Sequence, residues 1–574
     1  MTTSSCPAAT AASPAPARCA PAPRRRRALA LLGLATLLAA CASTPSEPAP
    51  AAAAGPARPA LVVFLVVDGL PMRQVSAVRH LLAPDGFARF LDRGAWYAEA
   101  HYGHAYTVTA AGHATLFTGA SPQRHGVIGN DWRDRATGAP VYCTGDTAEH
   151  YLGSPTDKLD GTSPRNLQAE TLGDVMRRAD PRSKVIAVSG KDRGAILPAG
   201  RSGTAYMYMN DSGRFASSTY YMPAHPAWVE AYNATRPADR WFKAEWRPLL
   251  PREAYGDVVT DDPPWFGTRS GRLPATLGRG DAPDQIFYTL LLRSPYVDAM
   301  ALDFARAAID GEQLGRDAAP DLLAISLSGH DYVNHAFSAE SLASYDHLLQ
   351  LDRLLQDFFH DLDTRVGRDR YVAVLSADHG FMPAPEWARG RGLEAGRASS
   401  AQLLGRVNTA LQARFGVPKL VREVSASALQ LNPALLQQHG LDADTVADAA
   451  RDALRGEPAV AAAYTRREML AGAPAGAPFF AQMRRSWNAE RSGDVPFALK
   501  PYWILSSSAD GTTHGSPHRE DTHVPILTWG PRWAGAGRVD SRVETVDIAP
   551  TLAGWLGLPP PAAAEGRPLP RPAR

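Results

Sequence analysis

At 574 residues, 45% hydrophobic and 21% charged, the chain has the length and balance of a soluble globular protein. Those fractions exclude a largely disordered chain and a membrane-embedded body. The formal net charge is +2, but Arg18 and Arg24 to Arg27 contribute five positive charges ahead of any acid, and +2 less these five leaves −3 for the remainder. That balance offers no basic surface for nucleic acid.

Arg24-Arg-Arg-Arg27 followed by the apolar stretch Ala28 to Ala40 has the basic and apolar regions of a secretory signal and is too short to span as an ordinary transmembrane helix. It closes on Leu38-Ala-Ala-Cys41. That ending resembles a bacterial lipoprotein signal, in which the cysteine is lipidated and becomes the mature N-terminus; the competing reading is a plain signal peptide with a chance cysteine. The expected organisation is a signal peptide over 1–41, an Ala/Pro-rich tether over 42–60, and one elaborated folded domain over 61–574 with insertions at about 205–300 and 388–500. With Cys6 and Cys19 lost with the leader and Cys41 lipidated, Cys143 stands alone. It is read as structural, and no internal disulfide is expected.

The folded part opens at Leu61-Val-Val-Phe-Leu-Val-Val67, a continuous apolar run that predicts a strand buried on both faces and ends at Asp68-Gly69. In open α/β sheets ligand groups collect at such strand ends, so Asp68 is a candidate ligand, or a turn aspartate if taken alone. Phe87 to Arg93 reads as a short helix. The stretch that organises the chain is Tyr106-Thr-Val-Thr-Ala-Ala-Gly-His-Ala-Thr-Leu-Phe-Thr-Gly119. Its Thr109 stands at a helix start, where free N–H groups and the helix dipole favour an anion. In isolation Thr109 reads as an N-cap.

Leu167 to Arg178 has helical periodicity, and Lys184 to Ser189 predicts a strand whose end delivers Lys191 and Arg193, two apart and so on one side of an extended segment. Tyr206 to Met209, Asn210 to Gly213 and Arg214 to Tyr221 predict a hairpin. Aromatics between 205 and 300 read as packing of an inserted lobe, with a stacking surface for part of a substrate as the alternative. Asp321 to Leu327 and Tyr371 to Leu375 are two further buried strands, joined by a long helix beginning at Ser338. Strand, helix, strand implies parallel neighbours. The second insertion carries helical patterns at Ala401 to Phe415 and Ala443 to Leu454 but no catalytic spacing. Pro525 to Trp529 returns as a strand and Asp547 to Trp555 as a final helix. The fold class expected is α/β, an α/β/α sandwich with a mostly parallel central sheet and inserted lobes.

Asp331 and His335 are four apart and share one helical face, a usual way to grip a divalent metal. Asp378 and His379 are adjacent at a strand end, and His514 lies in the loop Thr513-His-Gly-Ser516. Each pair alone is weak. Together with Thr109, the clusters at Asp68, Gly190 to Gly194, Gly329 to His335, Ser376 to Gly380 and Thr513 to Ser516 point to a two-metal phosphoryl-transfer site.

These residues resemble the alkaline phosphatase superfamily, in particular its PafA-type periplasmic branch with a threonine nucleophile, related to the type I phosphodiesterase/nucleotide pyrophosphatases. The similarity runs from about Leu61 to about Leu558 and includes Gly112 to Gly119, Gly129-Asn-Asp-Trp132, Lys191-Asp-Arg-Gly-Ala195 and Asp521-Thr-His-Val-Pro525. It implies two Zn2+ ions, one on Asp331, His335 and His514 and the other on Asp68, Thr109, Asp378 and His379. It also implies hydrolysis of small phosphate monoesters through a phospho-Thr109 intermediate, with Asn130, Lys191 and Arg193 binding the phosphoryl oxygens, the arginine in bidentate fashion.

The Lys-x-Arg pair matches the extra charge of a monoester and weighs against the alternative, a phosphodiesterase/nucleotide pyrophosphatase. A catalytically silent metal-binding lipoprotein is a third reading, against which stands the complete set of nucleophile and ligands. Zinc rather than manganese or iron follows from the resemblance alone. His113 and His125 are read as packing or hydrogen-bonding residues. His330, His518 and His523 lie near proposed ligands, and replacement of His514 by His518 or His523 stays open. The expected location is the periplasm, anchored to the cell envelope by a lipid on Cys41, at the outer membrane, with no specific nucleic-acid partner.

Overall fold

The structure, a computed structural model, describes residues 58–472 and 476–572. The leader, most of the tether and Cys6, Cys19 and Cys41 lie outside the described residues. A nine-stranded sheet forms the centre. In chain order its strands are β1 (Leu61–Val67), β2 (Ala95–Tyr97), β3 (Val185–Ser189), β4 (Thr204–Met209), β5 (Arg214–Ala216), β6 (Asp321–Leu327), β7 (Tyr371–Ser376), β8 (Ile526–Trp529) and β9 (Gly537–Val539). Across the sheet they lie in the order β9-β2-β8-β7-β1-β6-β3-β4-β5. The neighbours β7, β1, β6, β3 and β4 run parallel, while β8 and β5 turn antiparallel.

The apolar run of β1 shows why the sheet is covered on both sides. Leu61, Val63, Leu65 and Val67 enter one core and Val62, Phe64 and Val66 the other, as the period of two along a strand requires. The first core is closed by helices that include α3 (Pro295–Gly311) and α5 (Leu342–Leu362); the second by α1 (Thr109–Thr118), α2 (Asp192–Ala199) and α6 (Ile548–Leu556). This is the α/β/α sandwich with a mostly parallel central sheet that the strand pattern predicts. Burying each Val, Leu, Ile or Phe contributes about 1.5–3 kcal/mol, so a charge introduced at Val63 would break the layer contact.

Two helix starts differ from the periodicity. α5 begins at Leu342 rather than Ser338, because Ser341 Oγ accepts the Ser344 N–H at 3.1 Å, while Ser338, at φ 77°, breaks the chain after α4 (Gly329–Phe337). The helix read over Leu167 to Arg178 is confined to Leu172–Ala179, where Thr171 and Asp174 form a reciprocal capping box.

The hairpin of β4 and β5 forms the edge of the main sheet. Aromatics beyond it pack rather than line a site: Trp241 stacks on Tyr296 with centroids 4.2 Å apart, and Trp246 Nε1 and Tyr255 OH each donate to Asp346 at 2.6 Å, tying this segment to α5. Residues 400–499 have their own core, in which helices Ser400–Phe415 and Ala443–Arg455 cover a four-stranded antiparallel sheet ordered Val421–Ser425, Ala428–Leu431, Val495–Leu499, Val460–Ala463. Cys143 is buried and free, its thiol pushed up by burial to about 12, consistent with an inert structural residue.

Candidate functional site

The four parallel strands β7, β1, β6 and β3 end level with one another: Val66 pairs with Ser376, Val67 with Leu327 and Ser326 with Ser189. Their C-terminal ends therefore deliver Asp378 and His379, Asp68, α4 with Asp331 and His335, and Lys191 to one edge of the sheet. Because β8 is antiparallel, its start lies at that same edge, and the loop leading into it brings His514. The first turn of α1 closes over the edge at Gly112, where a Cβ would stand 2.0 Å from the Asp378 carbonyl oxygen; only glycine permits that approach.

Thr109 is the first residue of α1, and its Oγ1 lies 3.5 Å from Nε2 of His379. The same nitrogen is 3.5 Å from Asp68 Oδ1 and 3.5 Å from Asp378 Oδ2. Beside this group, Asp331 Oδ1 is 3.4 Å from His335 Nε2 and 3.7 Å from His514 Nε2, and 4.0 Å from His379 Nε2. These separations exceed those of good hydrogen bonds. The shorter of them, 3.4–3.5 Å, come close to the edge of a coordination tetrahedron, since donors bound at about 2.0–2.1 Å to one cation stand about 3.3–3.4 Å apart.

Three backbone carbonyls fix the imidazoles. His335 Nδ1 lies 2.8 Å from Thr512 O, His379 Nδ1 2.8 Å from Gly380 O, and His514 Nδ1 2.8 Å from Thr107 O. A carbonyl only accepts, so each Nδ1 carries the proton and each Nε2 presents a lone pair to the carboxylates, the arrangement of histidines that bind metal. Burial pushes His335 below and His514 well below the usual imidazole range, which keeps both neutral as ligands must be. Asp68 Oδ1, Asp331 Oδ1 and Asp378 Oδ2 are buried and accept no hydrogen bond. Leaving three buried carboxylate oxygens without partners is costly, and a divalent cation fits this donor set.

Asn130 Oδ1 accepts the N–H of Ala110 at 2.9 Å, which leaves the amide NH2 as a donor at the start of α1. Lys191 and Arg193 do not share one side of an extended segment: α2 begins between them, at Asp192, whose carboxylate favours a helix start. Lys191 Nζ donates to Asp68 Oδ2 at 2.7 Å and to Asp331 Oδ2 at 2.6 Å, so it bridges the two ligand groups. Arg193 Nη1 donates to Tyr142 OH at 3.1 Å, and that hydroxyl donates to Asp192 Oδ1 at 2.8 Å. Arg193 Nε is buried without a partner.

Residues 62–521 match the family model described as type I phosphodiesterase / nucleotide pyrophosphatase. The chain belongs to this family. It is 33% identical over 523 residues to alkaline phosphatase PafA of Elizabethkingia meningoseptica, covering 89% of this chain and 94% of the relative. It is 33% identical over 526 residues to alkaline phosphatase PhoV of Synechococcus elongatus, covering 89% and 92%. The crystal structure of wild-type alkaline phosphatase PafA superposes with a TM-score of 0.83 at 32% identity, covering 89% of this chain and 98% of that one.

In this member of the phosphodiesterase/nucleotide pyrophosphatase family, five further histidines in or near these motifs have defined partners. His113 Nδ1 lies 2.9 Å from Thr109 O and 3.3 Å from Asp378 Oδ2, and its Nε2 lies 2.8 Å from Ser326 Oγ, so it braces the turn that carries Thr109. His125 packs against Thr115 Oγ1 at 3.1 Å, and His330 Nε2 contacts Gln74 Oε1 at 2.9 Å. His518 Nε2 points to Leu499 O and His523 Nε2 to Ala98 O, each at 2.8 Å; the imidazole beside Asp331 is that of His514.

Two supporting residues have no role in the motif reading. Asp521 Oδ2 accepts from Gly515 N, Ser516 N and Ser516 Oγ at 3.0, 2.9 and 2.6 Å, which fixes the loop presenting His514. Asp521 lies inside the Asp-Thr-His-Val-Pro motif, so a signal for it existed. Tyr142, which steadies Arg193, had none. Among the described residues no helix is long and apolar enough to cross a membrane.

Proposed function

We propose that this chain is a metal-dependent phosphate monoester hydrolase, an alkaline phosphatase that passes the phosphoryl group to Thr109 and then to water. The observation that carries this reading is the convergence of Thr109 Oγ1 and three unpartnered carboxylate oxygens on imidazole nitrogens whose opposite faces are tied to carbonyls. Asp68, Thr109, Asp378 and His379 would hold one cation and Asp331, His335 and His514 a second, both read as zinc from the resemblance. Such cations, when bound, make a hydroxyl nucleophilic at neutral pH and offset charge on a departing oxygen.

The chain's own residues do the rest. Thr109 supplies the attacking oxygen and carries the phosphoryl group between the two half-reactions. Asn130, held by the Ala110 N–H, presents its NH2 to one non-bridging oxygen. Lys191, at the seam between the two ligand groups, and Arg193, preset by Tyr142, take the others. Two cationic side chains opposite one phosphoryl group favour a dianionic monoester over a monoanionic diester. The similarity to the alkaline phosphatases PafA and PhoV supports the same choice.

Hydrolysis of para-nitrophenyl phosphate against its bis-ester, with and without a chelator, tests the reading. The monoester should be strongly preferred, and its turnover should vanish with chelation and return with zinc. Preferred turnover of the bis-ester would place the chain with the diesterases and overturn the proposal.

We further infer that Cys41 carries lipid and tethers the enzyme to the periplasmic face of the envelope, at the outer membrane, since Leu38-Ala-Ala-Cys41 ends an apolar region behind four arginines. Partitioning of the full chain into a detergent phase, abolished in Cys41→Ser, is the expected outcome. Wild-type protein found wholly in the aqueous phase contradicts it.

A further inference from the structure

The cleft that opens from the hydrolytic site has a volume of about 240 Å³ and is lined at one end by Asn130, His335 and His514. Its far walls come mostly from the second insertion, which shows no catalytic spacing in the sequence. Tyr106, Ala426, Met483, Trp487, Phe497 and Trp503 supply aromatic and apolar surface, with the hydroxyl-bearing Ser486, Ser492 and Thr513 between them. Resting on the phosphatase reading above, we propose that this cleft is the leaving-group subsite and that it selects monoesters whose alcohol carries a flat apolar ring.

Charge and size argue for that occupant, and a strained turn holds one wall in place. No lysine or arginine lines the cleft, so a second phosphate on the substrate meets no counter-ion there. The carboxylate of Asp521, at one margin, is already bonded to the Gly515–Ser516 backbone. A benzene ring fits a space of about 150 Å³, so a cleft of about 240 Å³ has room for one substituted ring. The turn joining Val421–Ser425 to Ala428–Leu431 places Ala426 at φ 46° and Ser427 at φ 52°. Two-residue hairpins with positive φ at both positions favour Asn-Gly. This chain instead keeps a strained Ala-Ser pair, and the Ala426 methyl group packs beside Gly129 and the Trp132 cluster where it lines the cleft.

The ring is the variable to test, with the chemistry of the departing oxygen held constant. 2-Phenylethyl phosphate and ethyl phosphate release alcohols of similar acidity, so the ratio of their kcat/KM values reports the ring's contact with the cleft. In the wild-type holoenzyme this ratio should be about ten or more, and ethane-1,2-diyl bisphosphate should fall below ethyl phosphate. The ratio should drop toward one in Trp503→Leu and in Met483→Ala; being internal to each variant, it is insensitive to the fraction folded. Equal efficiency on the two monoesters in wild type, or preference for the bisphosphate, overturns the subsite and leaves the phosphatase reading standing. A ratio that neither variant moves overturns the assignment of these walls. Turnover of neither ester overturns the phosphatase reading and the subsite with it.

Discussion

Thr109 Oγ1 stands 3.5 Å from Nε2 of His379, and that nitrogen is equally 3.5 Å from Asp68 Oδ1 and Asp378 Oδ2. Two strand ends and one helix start thus bring three oxygen donors around one imidazole nitrogen. The hydroxyl faces this cluster rather than capping its own helix: no side-chain cap bond forms at the start of α1.

Removal of that hydroxyl should stop turnover. Thr109→Ala is expected to lower kcat/KM for para-nitrophenyl phosphate by about a thousandfold or more, whereas Thr109→Ser keeps a measurable part because an oxygen nucleophile survives. Full activity in the alanine variant would remove Thr109 from the mechanism.

Cation removal should be felt by the fold as well as by catalysis. The orphaned oxygens of Asp68, Asp331 and Asp378 repel one another without a counter-charge beyond Lys191, and a ligand present at a thousand times its Kd contributes about 4 kcal/mol to stability. Chelation is expected to lower the melting temperature by a few degrees, with recovery on adding zinc. A melting curve indifferent to chelator and zinc contradicts the ligand assignment.

Lys191 and Arg193 separate two enzymes that can be built on one ligand set. Each charge-assisted contact contributes about 1.5–3 kcal/mol, so the double alanine variant should lose on the order of a hundredfold or more in monoester kcat/KM while diester turnover changes little. An equal fall for both ester classes would mean that the pair supports the site in general, as the bridge from Lys191 to Asp68 and Asp331 also allows.

Acid should destabilise the fold through His104. This residue is buried, its Nε2 has no hydrogen-bond partner, and burial, with Arg485 nearby, pushes its pKa down to about 3. The unfolded chain takes up this proton near pH 6.5 and the folded chain does not, so its contribution is fully present above about pH 6.5. It is lost as pH falls toward 3, at about 1.4 kcal/mol per pH unit. The melting temperature of His104→Phe should therefore fall less than that of wild type between pH 6.5 and 4. Parallel curves for the two proteins would assign the acid sensitivity to other groups.

The parts of this molecule legible in the sequence are those with a periodic or positional signature. β1 is a continuous apolar run ending on the Asp68 carboxylate, and Asp331 and His335 carry the four-residue spacing of one helical face. Illegible were the elements whose work is done by backbone. Gly380, Thr107 and Thr512 orient three imidazoles through carbonyl oxygens that every residue type possesses. Lys191 and Arg193 were placed by strand geometry, but the helix that starts between them sends one toward Asp68 and Asp331 and the other toward Tyr142. The second insertion shows no catalytic pattern because its contribution is a surface, assembled from Ala426, Met483 and Phe497, spread over about seventy positions of chain, with Trp503 just beyond it.

The most direct test of the account is to stop the reaction in acid during turnover of a phosphate monoester and to map the protein by mass spectrometry. A phospho-Thr109 intermediate gives a single phosphate on the peptide bearing Thr109, present in wild type and absent when the enzyme has been stripped of metal. Rapid-quench sampling through the first turnover, with no covalent phosphate at any time, or phosphate on a residue other than Thr109, would contradict it.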